Sequence, residues 1–462
     1  MAGVGFELRK IFKDETIHGK VKGVIYASMT TIGPTIMFML LLLGIRYVMN
    51  IFDVPYKEQI FFSSASLYLF IFATMISGAL NTISTRFISD MIFIEKDEYI
   101  PATMFGTIMI GSFAAAIPNF IICIVLFAKY DINPVFLIGY YLFGIMITVT
   151  YCIMTFISAI KEYAKITASF FVGLLSAVAI FFIAQRYMGL SVINCIIYSL
   201  ALGFLLINVF LIYYIITFFE KSNHRYFEFL KYYIKYPKLF LSGLFYVLGL
   251  YISNIIFWFY SDIATVVTLF HVAPSYDMAT FLAVIVNLSA IVIYTVKVET
   301  QFFEKYKLYV MALNNANYAV IEKARKNMNN TIHINLFFIY EIQLIITIIL
   351  TCLSVMFFPM LGIGGLTLDF FLLLGIAYYA IFSMYFTVVF LYYFSDQFGS
   401  FIATALFFGV TVIASLIAIK LGNGYYAIAP LTGAIVGWIY AFLRLKYILK
   451  DINANIFCGI LK

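Results

Sequence analysis

Twelve stretches of about 20 or more mostly apolar residues follow one another through this chain. The first, from Val24 to Met49, carries a single charged residue, Arg46. A run of this length is what an α-helix needs to cross a bilayer. In lipid every backbone N–H and C=O must find a partner inside the protein, so long continuous runs of this kind select helices. The runs fall at 23–49, 60–85, 102–128, 134–160, 163–185 and 190–218, then at 239–261, 277–298, 334–358, 368–394, 398–419 and 425–448. With 64% hydrophobic and 11% charged residues, the chain cannot build a water-facing surface. The expectation is an all-α polytopic membrane protein of about 12 transmembrane helices in two six-helix bundles, of the exporter or flippase kind. No residue-level repeat supports the two halves; the division rests on hydropathy alone.

Charge placement tests this layout. With the N-terminus in the cytoplasm, 24 of the 29 Lys and Arg residues fall on the inner side. The outer side holds only Arg46, Lys57, Lys129, Arg186 and Lys420. That asymmetry matches the positive-inside rule and predicts both termini inside. It also explains the net charge of +7 without nucleic acid. The expected divisions are a cytoplasmic amphipathic segment 1–22, a first bundle 23–218, a linker 219–238, a second bundle 239–448 with a cytoplasmic segment 299–333, and a tail 449–462. The opening run lacks a clear cleavage site and reads as a retained helix rather than a signal peptide. In segment 1–22, Phe6, Leu8 and Phe12 suit the membrane interface while Arg9, Lys10 and Lys13 suit anionic headgroups.

Catalytic constellations do not emerge from the pattern. The four histidines, His18, His224, His271 and His333, are scattered, and no His–carboxylate pair has ligand spacing. No phosphate-cradling glycine loop is present. The five cysteines lack metal or redox spacing and read as small apolar side chains. The expectation is a protein without cofactor or metal that is not an enzyme. A membrane acyl- or glycosyltransferase is excluded on the same ground.

Polar stripes on the apolar helices point instead to transport. The second run places Ser77, Asn81 and Thr85 at helical spacing, the seventh Tyr251, Asn254 and Trp258, and the eighth Asp277, Thr280, Asn287 and Tyr294. These form the candidate substrate cavity; helix–helix glue is the competing reading of the same residues. The aromatic content of 19% fits surfaces that stack on sugar rings. Arg86 with Asp90, and Lys297 beside Glu299, are candidate cytoplasmic gate pairs. Glu341 lies well inside the ninth run and is the candidate coupling acid, since charges in the membrane are costly. Gly33 and Pro34 are a candidate hinge in the first helix, because proline removes a backbone donor.

Several stretches together resemble one family. They are "MAGVGFELRK" at the start, the "GP" of the first helix, "TRFISD" (85–90), "FWFYSD" (257–262), "YDMATFLA" (276–283) and "VET" (298–300). The chain is similar here to the Pel exopolysaccharide transporters, PelG-like proteins of the multidrug/oligosaccharidyl-lipid/polysaccharide exporter superfamily. The last third matches no motif of that family, so Glu341 draws nothing from it. The resemblance implies twelve helices in two bundles, alternating access, and export of a growing N-acetylhexosamine-rich polymer across the inner membrane into biofilm matrix. It implies as partners a cytoplasmic glycosyltransferase using UDP-sugar, a membrane-bound cyclic-di-GMP receptor subunit and a further small membrane subunit. On this reading residues 2–13 dock the glycosyltransferase or the base of the seventh helix. A lipid-linked oligosaccharide flippase, a cation-coupled drug exporter and a non-translocating scaffold for the glycosyltransferase are the alternatives.

Overall fold

The computed structural model describes Ser28, residues 32–160, residues 163–450 and Ile452. The amphipathic segment 2–13 lies outside the described residues. The helices are α1 (Gly33–Ile51), α2 (Tyr56–Phe93), α3 (Tyr99–Tyr130), α4 (Pro134–Ile160), α5 (Tyr163–Tyr187) and α6 (Val192–Phe219). A short α7 (Lys231–Lys235) precedes α8 (Pro237–Tyr260) and a two-stranded hairpin, β1 (Thr265–Val267) and β2 (Phe270–Val272). Then come α9 (Pro274–Asn287), α10 (Ser289–Lys297), α11 (Phe303–Asn315), α12 (Tyr318–Phe357), α13 (Leu366–Tyr393), α14 (Gln397–Leu421) and α15 (Ile428–Lys450). Among the described residues eleven helices, α9 and α10 counting as one, are long and apolar enough to cross a membrane, and Leu41–Ile51 of α1 is a shorter apolar helix.

The described residues form two compact units. The first takes 32–247 with 264–272; the second takes 248–263 and 273–450. In the first, α4 packs on α6, α5 on α6, α3 on α4 and α2 on α4. Leu69, Phe143, Ile147, Phe204, Ile207 and Leu211 build its core. Lipid tails are as apolar as these side chains, so burial alone selects no particular pairing. Close packing and interhelical hydrogen bonds do. Thr150 donates to Asn208 Oδ1 at 2.7 Å, and Asn208 Nδ2 donates to the Met146 carbonyl at 3.0 Å, tying α4 to α6. Glycines allow a close crossing between α2 and the first part of α8. A Cβ on Gly243 would overlap Thr82 Oγ1, and one on Gly78 would overlap Val247 Cγ2.

The hairpin belongs to the first unit although the chain on both sides of it belongs to the second. Phe270 is fully buried among Phe61, Tyr68 and Tyr140. The Tyr68 hydroxyl donates to the His271 carbonyl at 2.9 Å and accepts from the His271 N–H at 3.2 Å, so one phenol satisfies both groups of an edge-strand residue. Thr268 turns the hairpin at φ 58°, a left-handed conformation unusual for a β-branched residue.

In the second unit α14 packs on α15, α13 on α15, α9 on α13 and α12 on α13. Two of its helices depart from the expected spans. The run 277–298 is not one helix: a turn at Leu288 separates α9 from α10, and a π-helical segment, Val298–Phe302, follows. Neither proline nor glycine stands at that turn; Asn287 and its partners, described below, hold it. The ninth span starts well before the apolar run, at Tyr318, where the Asn317 side chain accepts from the Val320 N–H and caps the helix. The polar half of α12, with α11, occupies the connection between the eighth and ninth apolar runs.

Candidate functional site

Asp277 is the centre of a polar hub in the second unit. It stands in the first turn of α9, where a negative charge meets the positive end of the helix dipole. One carboxylate oxygen accepts from Asn254 Nδ2 at 2.8 Å, both accept from Trp258 Nε1 at 2.9 Å, and Oδ2 accepts from the Ala273 N–H at 3.0 Å. The last bond reaches back to the N-cap residue and works as a cap. Asn254 also lies 3.5 Å from Thr280 Oγ1. Every partner of Asp277 among the described residues is a neutral donor. Asn254 and Trp258 are one helical turn apart on α8, which puts both donors on one face. Their bonds to Asp277 join that face to the start of α9.

Aromatic packing flanks the hub. Phe257 stacks on Tyr426 with centroids 4.4 Å apart, and Tyr426 faces Phe370 at 6.1 Å. The Tyr426 hydroxyl donates to Asp262 Oδ1 at 2.6 Å, so the second acid of this stretch is also held. Tyr276 meets Phe257 edge-on and donates to Ser253 Oγ at 3.3 Å.

Asn287 does not join the hub. It is fully buried, and its amide has four partners. It donates to the Ala283 and Gly375 carbonyls, both at 3.0 Å, and accepts from Gln343 Nε2 at 3.1 Å and Thr347 Oγ1 at 2.9 Å. Ser289 donates to Gln343 Oε1 at 2.9 Å, just after the turn at Leu288. This network fastens the broken helix to α12 and α13 and has no hydrogen-bonding capacity left over on Asn287. Gln343, Thr347 and Ser289 are absent from the sequence-derived candidates. Gln343 and Thr347, one turn apart, were a readable signal that the charge of Glu341 obscured.

The remaining candidates are placed as follows. On α2, Ser77 Oγ lies 3.3 Å from the Thr74 carbonyl, and Thr85 Oγ1 donates to the Asn81 carbonyl at 2.8 Å, so both hydroxyls bond to their own helix. Asn81 Nδ2 donates to the Tyr151 carbonyl at 3.1 Å, while its Oδ1 has no hydrogen-bond partner among the described residues. Tyr251 is half-buried one turn before Asn254. Tyr294 stacks flat on Phe386, centroids 4.4 Å apart. Arg86 and Asp90 pair at 3.2 Å along α2 itself, and Arg86 lies over the Tyr236 ring at 5.6 Å. That pair therefore spans one helix and leans on the connecting segment rather than bridging two spans. Beside it, burial and then the Asp90 charge push the Tyr232 hydroxyl up to about 12, which keeps it neutral. The Lys297 ammonium sits 3.9 Å from the centroid of the Phe338 ring. The Glu299 side chain lies outside the described residues. Glu341 is on the exposed side of α12 with Phe337, Phe338 and Ile345, opposite the buried Gln343. Gly33 and Pro34 are the first two residues of α1 among the described residues.

Two kinds of likeness to known proteins accompany this geometry. The family model PelG, described as "Putative exopolysaccharide Exporter (EPS-E)", matches residues 1–457. The chain belongs to the PelG family. No curated protein matches its sequence. Solved structures that resemble it include the outward-facing form of a multidrug resistance MATE family transporter of the MOP superfamily, at 12% identity, covering 93% of this chain and 96% of that one, with a TM-score of 0.65. A mutant of the Vibrio cholerae MATE transporter VcmN has 11% identity, coverage of 98% and 99%, and a TM-score of 0.66. A MOP superfamily transporter from Pyrococcus furiosus has 12% identity, coverage of 92% and 96%, and a TM-score of 0.62. At these identities the likeness is one of fold: this PelG-family chain has a MOP-type transporter fold and is a multi-pass membrane protein.

Proposed function

We propose that this chain is the translocating subunit for a growing N-acetylhexosamine-rich exopolysaccharide of the Pel type, carried across the bacterial inner membrane with both termini in the cytoplasm. The observation that carries the reading is the PelG family match along residues 1–457, on a transporter fold. The polymer passes along a polar and aromatic path, and the chain acts as a conduit without catalysis of its own. Of the ten candidate cavity residues, Asn81, Thr85, Tyr251, Asp277 and Tyr294 keep partial exposure. These five are the proposed sugar contacts. The buried Asn254 and Trp258 hold Asp277 and Thr280 lies beside Asn254, while Ser77 and Asn287 are buried in contacts of their own. The proposed partners are a cytoplasmic glycosyltransferase, a cyclic-di-GMP receptor membrane subunit and a further small membrane subunit.

The test is vectorial. Proteoliposomes holding this protein and the partner subunits receive UDP-N-acetylhexosamine outside, together with a hydrolase that digests the polymer. Protected lumenal polymer that depends on this chain is the expected result. Polymer that is made but fully digested would leave only a scaffold role. The same assay under an imposed pH gradient examines Glu341. Glu341→Gln is expected to lower protected polymer severalfold with the folded yield unchanged, and unaltered export would remove Glu341 as the coupling acid.

A further inference from the structure

The apolar part of α12 sorts its side chains in an unusual way around Glu341. The buried side of the helix carries the polar groups Asn335, Gln343, Thr347 and Ser354. Every other exposed residue from 334 to 357 is apolar, Ile334, Phe337, Phe338, Leu344, Ile345 and Ile348 among them. The wall of a water-filled path would show the reverse sorting. This face is the one turned to lipid, and Glu341 is its single charge.

The carboxylate is too deep to escape to water. Glu341 lies seven residues inside the apolar run that begins at 334. At about 1.5 Å per residue, that is about 10 Å below the margin of the run. The helix runs unbroken through this depth, from Tyr318 to Phe357. A carboxylate on two methylenes does not span such a distance, whereas a long lysine near a helix end reaches the interface. Nor does the chain supply a partner: Glu341 makes no hydrogen bond or ion pair with any described residue. Lys297 reaches the same face but sits over the Phe338 ring, 3.9 Å from its centroid.

Ionisable side chains at such depth almost always pair inside the bilayer. We propose that this face of α12 seats a transmembrane helix of a different membrane protein, which sets a Lys, Arg or His side chain against Glu341. A second copy of this chain does not fit. A two-fold contact through the same face would bring two Glu341 carboxylates together. In any other contact its basic residues come too shallow: every Lys and Arg lies outside the apolar runs or within four residues of an end. An entirely apolar helix would cover Glu341 and leave its charge unpaired, which is costly.

The experiment places the photoreactive residue p-benzoylphenylalanine at Ile345, one turn deeper on the same exposed face, in the full-length protein. The protein is made in its own cells, the membranes are irradiated, and the adduct is mapped by mass spectrometry. The expected adduct joins the probe to an apolar helix of another membrane protein, with a basic residue well inside that helix. Glu341→Leu, which suits lipid better than a carboxylate, is expected to lower the adduct yield about fivefold at unchanged protein level. Glu341→Lys, combined with Glu at the mapped basic residue, is expected to restore it. An adduct with lipid alone, with a second copy of this chain, or with a helix lacking a basic residue would overturn the proposal. So would a yield that Glu341→Leu leaves unchanged. Neither transport nor a pH gradient enters this readout, so its failure is distinct from a failure of Glu341 as the coupling acid.

Discussion

Replacing Asp277 with Ala is expected to cost about 3 kcal/mol or more, because it leaves three buried donors without an acceptor. They are the Asn254 amide, the Trp258 indole N–H and the Ala273 N–H. Trp258 is one of two tryptophans, so its fluorescence follows the hub directly during thermal unfolding. A lowered midpoint with an early red shift of emission is the expected trace. Asp277→Asn keeps an acceptor oxygen and the side-chain volume, so its midpoint should fall much less. Export then separates the two roles of the carboxylate. If Asp277→Asn folds and still exports, the hub is structural and its charge does not touch sugar. An unchanged midpoint in Asp277→Ala would show that water or a rearranged neighbour replaces the carboxylate, and the hub would lose its importance.

The second large effect belongs to the α2–α8 crossing. Gly243→Val is expected to destabilise the first unit by about 1–3 kcal/mol, the usual penalty of forcing atoms into a filled contact. The added Cβ would overlap Thr82 Oγ1, with the Thr82 Cβ and the Gly78 carbonyl close behind. Backbone and β-carbons cannot swing aside as the end of a long side chain can. Thermal unfolding of the detergent-solubilised protein measures the loss. Pairing Gly243→Ala with Thr82→Ala should recover part of it, since the first obstacle is then gone. A Gly243→Val protein as stable as the parent would mean that these two helices have room to separate, and that the crossing is looser than its geometry.

These two sites differ in how far the sequence exposes them. Asn254, Trp258, Asp277 and Thr280 carry a readable signal: polar groups at helical spacing on two consecutive helices with a short connection. What could not be read is that their donors and acceptors satisfy each other. Asn287 shares the stripe of Asp277 and Thr280, yet ends in a different network, because its partners Gln343 and Thr347 come from 56 and 60 residues away. Spacing along one helix says which residues share a face. It is silent on what packs against that face.

Lipid solvation is a local property of the chain, and so the apolar runs determined the class of protein, the membrane-spanning helices and most of their limits. The expected 190–218 became Val192–Phe219, and 398–419 became Gln397–Leu421. The N-terminal motifs likewise pointed to the family that the match over residues 1–457 establishes. Tertiary structure alone decided the rest. It broke the eighth span at Leu288 without proline or glycine, through a network anchored on α12 and α13. It placed the 264–272 hairpin with the first unit through Tyr68 and Phe270. It turned Glu341 to an exposed face and Gln343 to a buried one, two residues apart. In each case the deciding partner lies far along the chain, and hydropathy, which compares a residue only with lipid and water, does not register it.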